Sequence, residues 1–159
     1  EEVYERIKKE NKWIGDARAT DSDLTFFKNK FSIPVENAII TGVYGSQRIL
    51  NGKPKWPHYG LDFAADEGTK IKAMLDGIVT LAKPDLFYTG GTLIFDHGHG
   101  ISTLYMHMEK ILVKKGQEVK QGDIIGTVGS TGRATGAHLD VRLNWFQIRL
   151  DPATVLDIK

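Results

Sequence analysis

The sequence contains no cysteine. Disulfides and thiolate-bound zinc are therefore excluded, leaving His, Asp and Glu as the only strong metal ligands. This absence fits either side of a membrane and does not locate the protein. No run approaches the ~18 apolar residues of a membrane span. An excess of one charge is also missing. The 21 basic and 20 acidic side chains leave a net charge of +1, so neither nucleic acid nor an anionic membrane surface is indicated as a partner. Glu1 to Glu10 is highly charged, and no signal peptide is expected there. A signal or anchor further upstream would not be visible. Neither a G-x-S-x-G elbow nor a G-x-x-x-x-G-K-[ST] loop occurs. The spaced glycines of Gly129 to Gly136 lack the phosphate-loop lysine and a following helix, which disfavours phosphate cradling.

What is present fits one soluble domain. A length of 159 residues, 41% hydrophobic and 26% charged, suffices for a real core. Residues 1 to about 15 predict a helix, with Val3, Tyr4, Ile7, Trp13 and Ile14 on a ragged apolar face and Gly15 as its stop. Asp21-Ser22-Asp23 reads as an N-cap for a short turn through Leu24, Phe26 and Phe27, and Pro34 ends that region. From Ile39 the texture changes to short β-type runs punctuated by glycine. These are Ile39 to Tyr44, Leu61 to Ala65, Lys70 to Ala73, Gly77 to Leu81, Thr92 to Asp96, Ile101 to His107, Asp123 to Val128 and His138 to Leu143. The pattern predicts a mainly β fold of antiparallel sheets, sandwich or barrel-like, with a short N-terminal helical arm. The expected division is an arm or linker over 1–38 and the main domain over 39–159.

Several polar features stand out. His138 and Asp140 are two apart in an alternating segment, so both project from one face of a strand. His58 and Asp62 are four apart. A straight strand would separate their Cα atoms by roughly 13 Å, too far to chelate an ion with ~2 Å bonds. Gly60 between them permits the bend that would bring them together. His107 ends an alternating run, and alternation places it with Tyr105 and Thr103. Asp96-His97-Gly98-His99-Gly100 offers an H-x-H, but the glycines favour a hairpin turn over a site.

Singly these features are weak, but their order is specific. His58-Tyr59-Gly60-Leu61-Asp62-Phe63, then Tyr105-Met106-His107, then Gly129-Ser130-Thr131-Gly132 and His138-Leu139 closely resemble the lysostaphin-type (LytM-like) M23 zinc metallopeptidases. Gly68-Thr69, Ala73, Asp76-Gly77-Ile78-Val79, Gly116, Val119, Gly122 and Ile125-Gly126 match between them. Gly45-Ser46-Gln47-Arg48 and Leu143-Asn144-Trp145-Phe146 are similar to proteobacterial members. The likeness runs from about Gly42 to Asn144. It implies antiparallel sheets around an open groove with zinc at its floor, and hydrolysis of peptide bonds in peptidoglycan stem peptides or cross-links. On the matching positions, His58 and Asp62 would bind zinc, while His107 and His138 would be general base and transition-state stabiliser. Asp140 stands where the family has its third zinc ligand, a second histidine. Tyr105 and Arg48 are groove candidates, with a structural role the heavier reading for both. Work on cell wall implies an extracytoplasmic location, and the N-terminal region could meet a membrane-proximal or regulatory protein.

Aspartate can ligate zinc at about 2.0–2.2 Å. One neutral imidazole and two carboxylates would cancel a +2 ion, whereas the family's usual set leaves +1. Such a centre should acidify water less and tolerate other divalent metals such as Mn²⁺ or Mg²⁺ better. Two other readings stand beside the zinc endopeptidase. One is a catalytically silent module of the same fold that binds wall peptide or regulates another wall hydrolase. The other is a phosphohistidine sugar-transport carrier, which gives Asp62 and the G-S-T-G loop no role.

Overall fold

The computed structural model describes residues 2–50 and 53–156, and the side chains of residues 47–50 and 53–57 lie outside that description. One helix, α1 (Glu2–Arg18), leads into strands β1 (Ile39–Gly42), β2 (Gln47–Leu50), β3 (Lys53–Pro57), β4 (Leu61–Ala64), β5 (Lys70–Lys72) and β6 (Gly77–Leu86). There follow β7 (Gly90–Gly98), β8 (Ile101–Ile111), β9 (Glu118–Val119), β10 (Ile124–Val128), β11 (His138–Trp145) and β12 (Ile148–Leu150). Each strand expected from the sequence is present. The short β9 and β12, and the separate hairpin β2–β3, carry too little alternation to be read in advance.

The main sheet runs β1-β4-β11-β8-β7-β6-β9, with β10 bridging β5 and β8 and β12 extending β11. Every pairing is antiparallel. Period-two alternation gives this sheet two different faces. On one, Leu61, Phe63, Phe95, Tyr105, Leu139 and Val141 join the principal core. On the other, Asp62 and Asp140 are direct partners across β4 and β11, while Leu104, Met106, Ile94, Leu81 and Leu86 form a smaller apolar cluster beneath α1.

Two local expectations differ from the structure. Gly15 does not stop α1, which continues to Arg18. Trp13, Ile14 and Ala17 pack on that smaller cluster, and this burial outweighs the ~1 kcal/mol that a helical glycine costs. Asp21-Ser22-Asp23 does not cap the following 3-10 turn, Phe26–Lys28, whose N-cap is Thr25. The segment is instead laid along the β7–β8 hairpin, where His99 N–H donates to the Ser22 carbonyl at 2.9 Å. Gly98, at φ +105°, leaves room there for the Leu24 backbone. The H-x-H of His97 and His99 is thus part of a hairpin, as the glycines predict.

His97 is fully buried. Its Nδ1 lies 2.7 Å from the Asp76 carbonyl and its Nε2 2.7 Å from Thr103 Oγ1. A carbonyl only accepts, so Nδ1 carries the proton and Nε2 receives the Thr103 hydroxyl. Tyr105 hydrogen-bonds Thr103, and the Tyr105 hydroxyl also accepts Met74 N–H at 2.8 Å. Tyr105 is therefore a core residue and takes no part in the groove.

Candidate metal and catalytic site

The site is assembled from β4, β8, β11 and the Gly129–Ala137 loop. Before β4, the chain bends at Gly60, and His58 Nε2 comes within 3.3 Å of Asp62 Oδ1. The separation that a straight strand would impose is removed, as the glycine permits. A Cβ at Gly60 would run into Asp140 Oδ1 and the Arg142 side chain, and one at Gly42 would meet the Asp62 carboxylate. Both glycines therefore clear space for the acidic groups.

His58, Asp62 and Asp140 each offer a ligand atom, and these atoms all lie within 4.8 Å of one another. All three residues are buried. Like charges directly opposite on neighbouring strands repel, so Asp62 and Asp140 require cationic charge nearby. His58 Nε2 is buried without a hydrogen-bond partner, which is costly for a polar atom unless it has a ligand. One imidazole nitrogen and two carboxylate oxygens form a donor set suited to zinc and tolerable to harder divalent ions. The residues fit a metal.

The side chain that does reach Asp140 is Arg142. Arg142 Nε donates to Asp140 Oδ1 at 3.1 Å and Nη2 to Oδ2 at 3.0 Å. Sequence reading missed this bidentate pair, although the period-two argument that joins His138 to Asp140 also brings in Arg142.

His107 does not follow the alternation of its strand. Its φ is +63°, and the β7–β8 register shifts between Leu93↔Tyr105 and Gly91↔Met108. A bulge of this kind re-aims a side chain. Tyr105 faces the principal core, whereas the His107 ring turns to the other face, 5.0 Å from that of His138. The His107 N–H donates to the Thr89 carbonyl at 2.7 Å, and its Nδ1 to the Thr131 carbonyl at 2.8 Å. His138 Nδ1 is likewise bound by the Gly136 carbonyl at 2.9 Å. Both imidazoles must then carry their proton on Nδ1 when neutral, leaving a lone pair on each Nε2. His138 Nε2 faces Asp62 Oδ1 at 4.0 Å. Burial pushes His107 below the ordinary histidine range and His138 adds to this, against the Thr131 hydrogen bond and the charges of Asp140 and Asp62. His107 is consequently neutral, and basic at Nε2, at neutral pH.

Thr131 anchors the glycine-rich loop. Its hydroxyl donates to the Met108 carbonyl and accepts Gly91 N–H, at 2.8 and 2.9 Å. Nothing in the sequence marked it beyond its place in Gly-Ser-Thr-Gly. The Arg48 side chain lies outside the described residues.

Comparison with known proteins agrees with this architecture. Residues 56–152 match peptidase family M23, and the chain belongs to that family. A peptidoglycan DD-endopeptidase of Vibrio cholerae, ShyA, is 45% identical over 87 residues, which cover 55% of this chain and 20% of that enzyme. A crystal structure of an M23 protein from Pseudomonas aeruginosa superposes with a TM-score of 0.73 at 37% identity, covering 96% of this chain and 61% of the other. A zinc-containing peptidase from Vibrio cholerae gives a TM-score of 0.71 at 35% identity, over 77% of this chain and 39% of that one. The phosphohistidine-carrier reading falls away with the family assignment.

Proposed function

We propose that this chain is the catalytic unit of a zinc-dependent endopeptidase that hydrolyses peptide bonds in peptidoglycan stem peptides or their cross-links. The observation that carries the reading is the pairing of His107 and His138. Two imidazoles with Nδ1 fixed by backbone carbonyls flank a buried pocket of His58, Asp62 and Asp140. The name of the V. cholerae relative supports the substrate, and the zinc-containing neighbour supports the metal.

In this reading His58 Nε2, Asp62 and Asp140 hold the ion. When bound, the ion supplies Lewis acidity to water and to the scissile carbonyl. One of His107 and His138 takes the attacking water's proton at Nε2 and delivers it to the departing amine nitrogen. The other stabilises the oxygen on which charge develops, donating from Nε2 once its ring has taken up a second proton there. Tethering at Nδ1 lets each ring exchange a proton at Nε2 without reorienting. Residues 39–159 would form the peptidase domain, with 1–38 as the arm. Such a substrate places the work outside the cytoplasmic membrane. Val3 and Tyr4, exposed on α1, would be available to a membrane-proximal or regulatory protein.

The engagement of both Asp140 oxygens by Arg142 favours a second reading, a module that binds wall peptide without cutting it. One experiment separates the two. Purified peptidoglycan and dimeric stem peptides are incubated with the metal-loaded chain, with and without chelator, and new amine ends are identified by mass spectrometry. Chelator-sensitive cleavage is expected. Retention on the wall without new amine ends, at stoichiometric metal, would leave the binding module as the correct reading.

A further inference from the structure

We propose that Asp140 and Arg142 act as one unit at the metal site, with Arg142 as a positioning residue that restores the charge balance altered by a carboxylate ligand. The inference rests on the metal-binding reading above and refines it. A second histidine as third ligand would leave the pocket with one negative charge, that of Asp62. Asp140 adds another, and the Arg142 guanidinium cancels it through two hydrogen bonds of 3.1 and 3.0 Å. The pocket then carries −1 before a divalent ion enters and +1 afterwards, the balance of one carboxylate and two imidazoles. On charge alone the sequence predicts a neutral, less acidifying centre; the Arg142 side chain removes that difference.

The surroundings make the arrangement hard to alter piecemeal. Arg142 sits on the same face of β11 as Asp140, and Asn144 on that strand is paired with Arg149 of β12. Arg18 at the end of α1 is close enough to feel the charge of both arginines, and its Nε is buried without a hydrogen-bond partner. Asp140 is thus both the third ligand in this reading and the hydrogen-bonded partner of Arg142, which itself lies near Arg18. An uncharged ligand at position 140 leaves Arg142 without its counter-charge beside an incoming cation. Improving the ligand in isolation should therefore impair the site.

The test is a cycle of Zn²⁺ affinities, measured by chelator competition on wild type, Asp140→His, Arg142→Gln and the double variant, with folding checked by circular dichroism. Asp140→His alone is expected to weaken Zn²⁺ binding at least ten-fold. In the Arg142→Gln background the same change should be neutral or strengthen it. A purely structural role for Arg142 would lower both affinities without this reversal. Should Asp140→His not fold, Asp140→Asn replaces it, and its cost should be at least five-fold larger with Arg142 present than with Arg142→Gln. Additive effects, or tighter binding by Asp140→His alone, overturn the proposal while wild-type metal binding stands. If wild type binds no Zn²⁺, the metal reading itself fails and this proposal fails with it.

Discussion

The imidazole of His107 is held by a carbonyl 24 positions along the chain, with Nδ1 donating to Thr131 at 2.8 Å. The Thr131 hydroxyl in turn grips β8 and β7 at Met108 and Gly91. The orientation of the ring therefore depends on a side chain that bonds β7 and β8 rather than the ring itself. Thr131→Ala removes both hydroxyl bonds and should cost about 1–3 kcal/mol. In wall-digestion assays kcat should fall more than KM rises, because proton transfer requires alignment that binding does not. A loss confined to KM would place Thr131 in substrate binding instead.

Metal binding should be visible as stability. A ligand at one hundred times its Kd adds about 2.7 kcal/mol, so Zn²⁺ should raise the melting temperature of wild type by several degrees. Asp62→Asn and His58→Ala should abolish that rise, along with chelator-sensitive cleavage. Differential scanning fluorimetry with and without chelator measures it directly.

Gly60→Ala should damage the same property by a different route. Its methyl group would meet Asp140 Oδ1 and the Arg142 side chain, an overpacking worth about 1–3 kcal/mol. Zinc stoichiometry should drop together with the melting temperature. By contrast Gly116→Ala meets no neighbouring atom but sits at φ +90°, so it should lose stability while keeping full zinc occupancy.

Acid should destabilise the fold through His97. Burial lowers its pKa from 6.5 to about 4. The unfolded chain takes up a proton near 6.5 while the folded one resists, so the contribution is complete above pH 6.5. It declines as pH falls and is lost once pH passes below the folded value. The amplitude over that window is about 3 kcal/mol at 1.36 kcal/mol per pH unit. Urea denaturation between pH 4 and 7.5 should show the slope, and His97→Gln should flatten it.

Much of this was legible in residue order. Alternation and glycine punctuation located the long strands, and Gly60 signalled the bend that joins His58 to Asp62. Alternation failed at His107, because a bulge adds a residue without leaving a composition mark. Arg142 has the right period, but arginine is not a metal ligand and so carries no metal-site signal in the sequence. Gly15 misled because local helix cost is small beside the burial of Ala17.

The hydrogen bonds around His97 have a consequence for alignment. Met74 N–H, Tyr105, Thr103, His97 and the Asp76 carbonyl link β7 and β8 to both ends of the three-residue segment 74–76. A slip of β8 by one residue would break this polar ring in the core, even if the ladder bonds re-formed. The ring thus acts as an index mark for β8: it fixes where residue 107 falls in the groove, from the opposite side of the sheet.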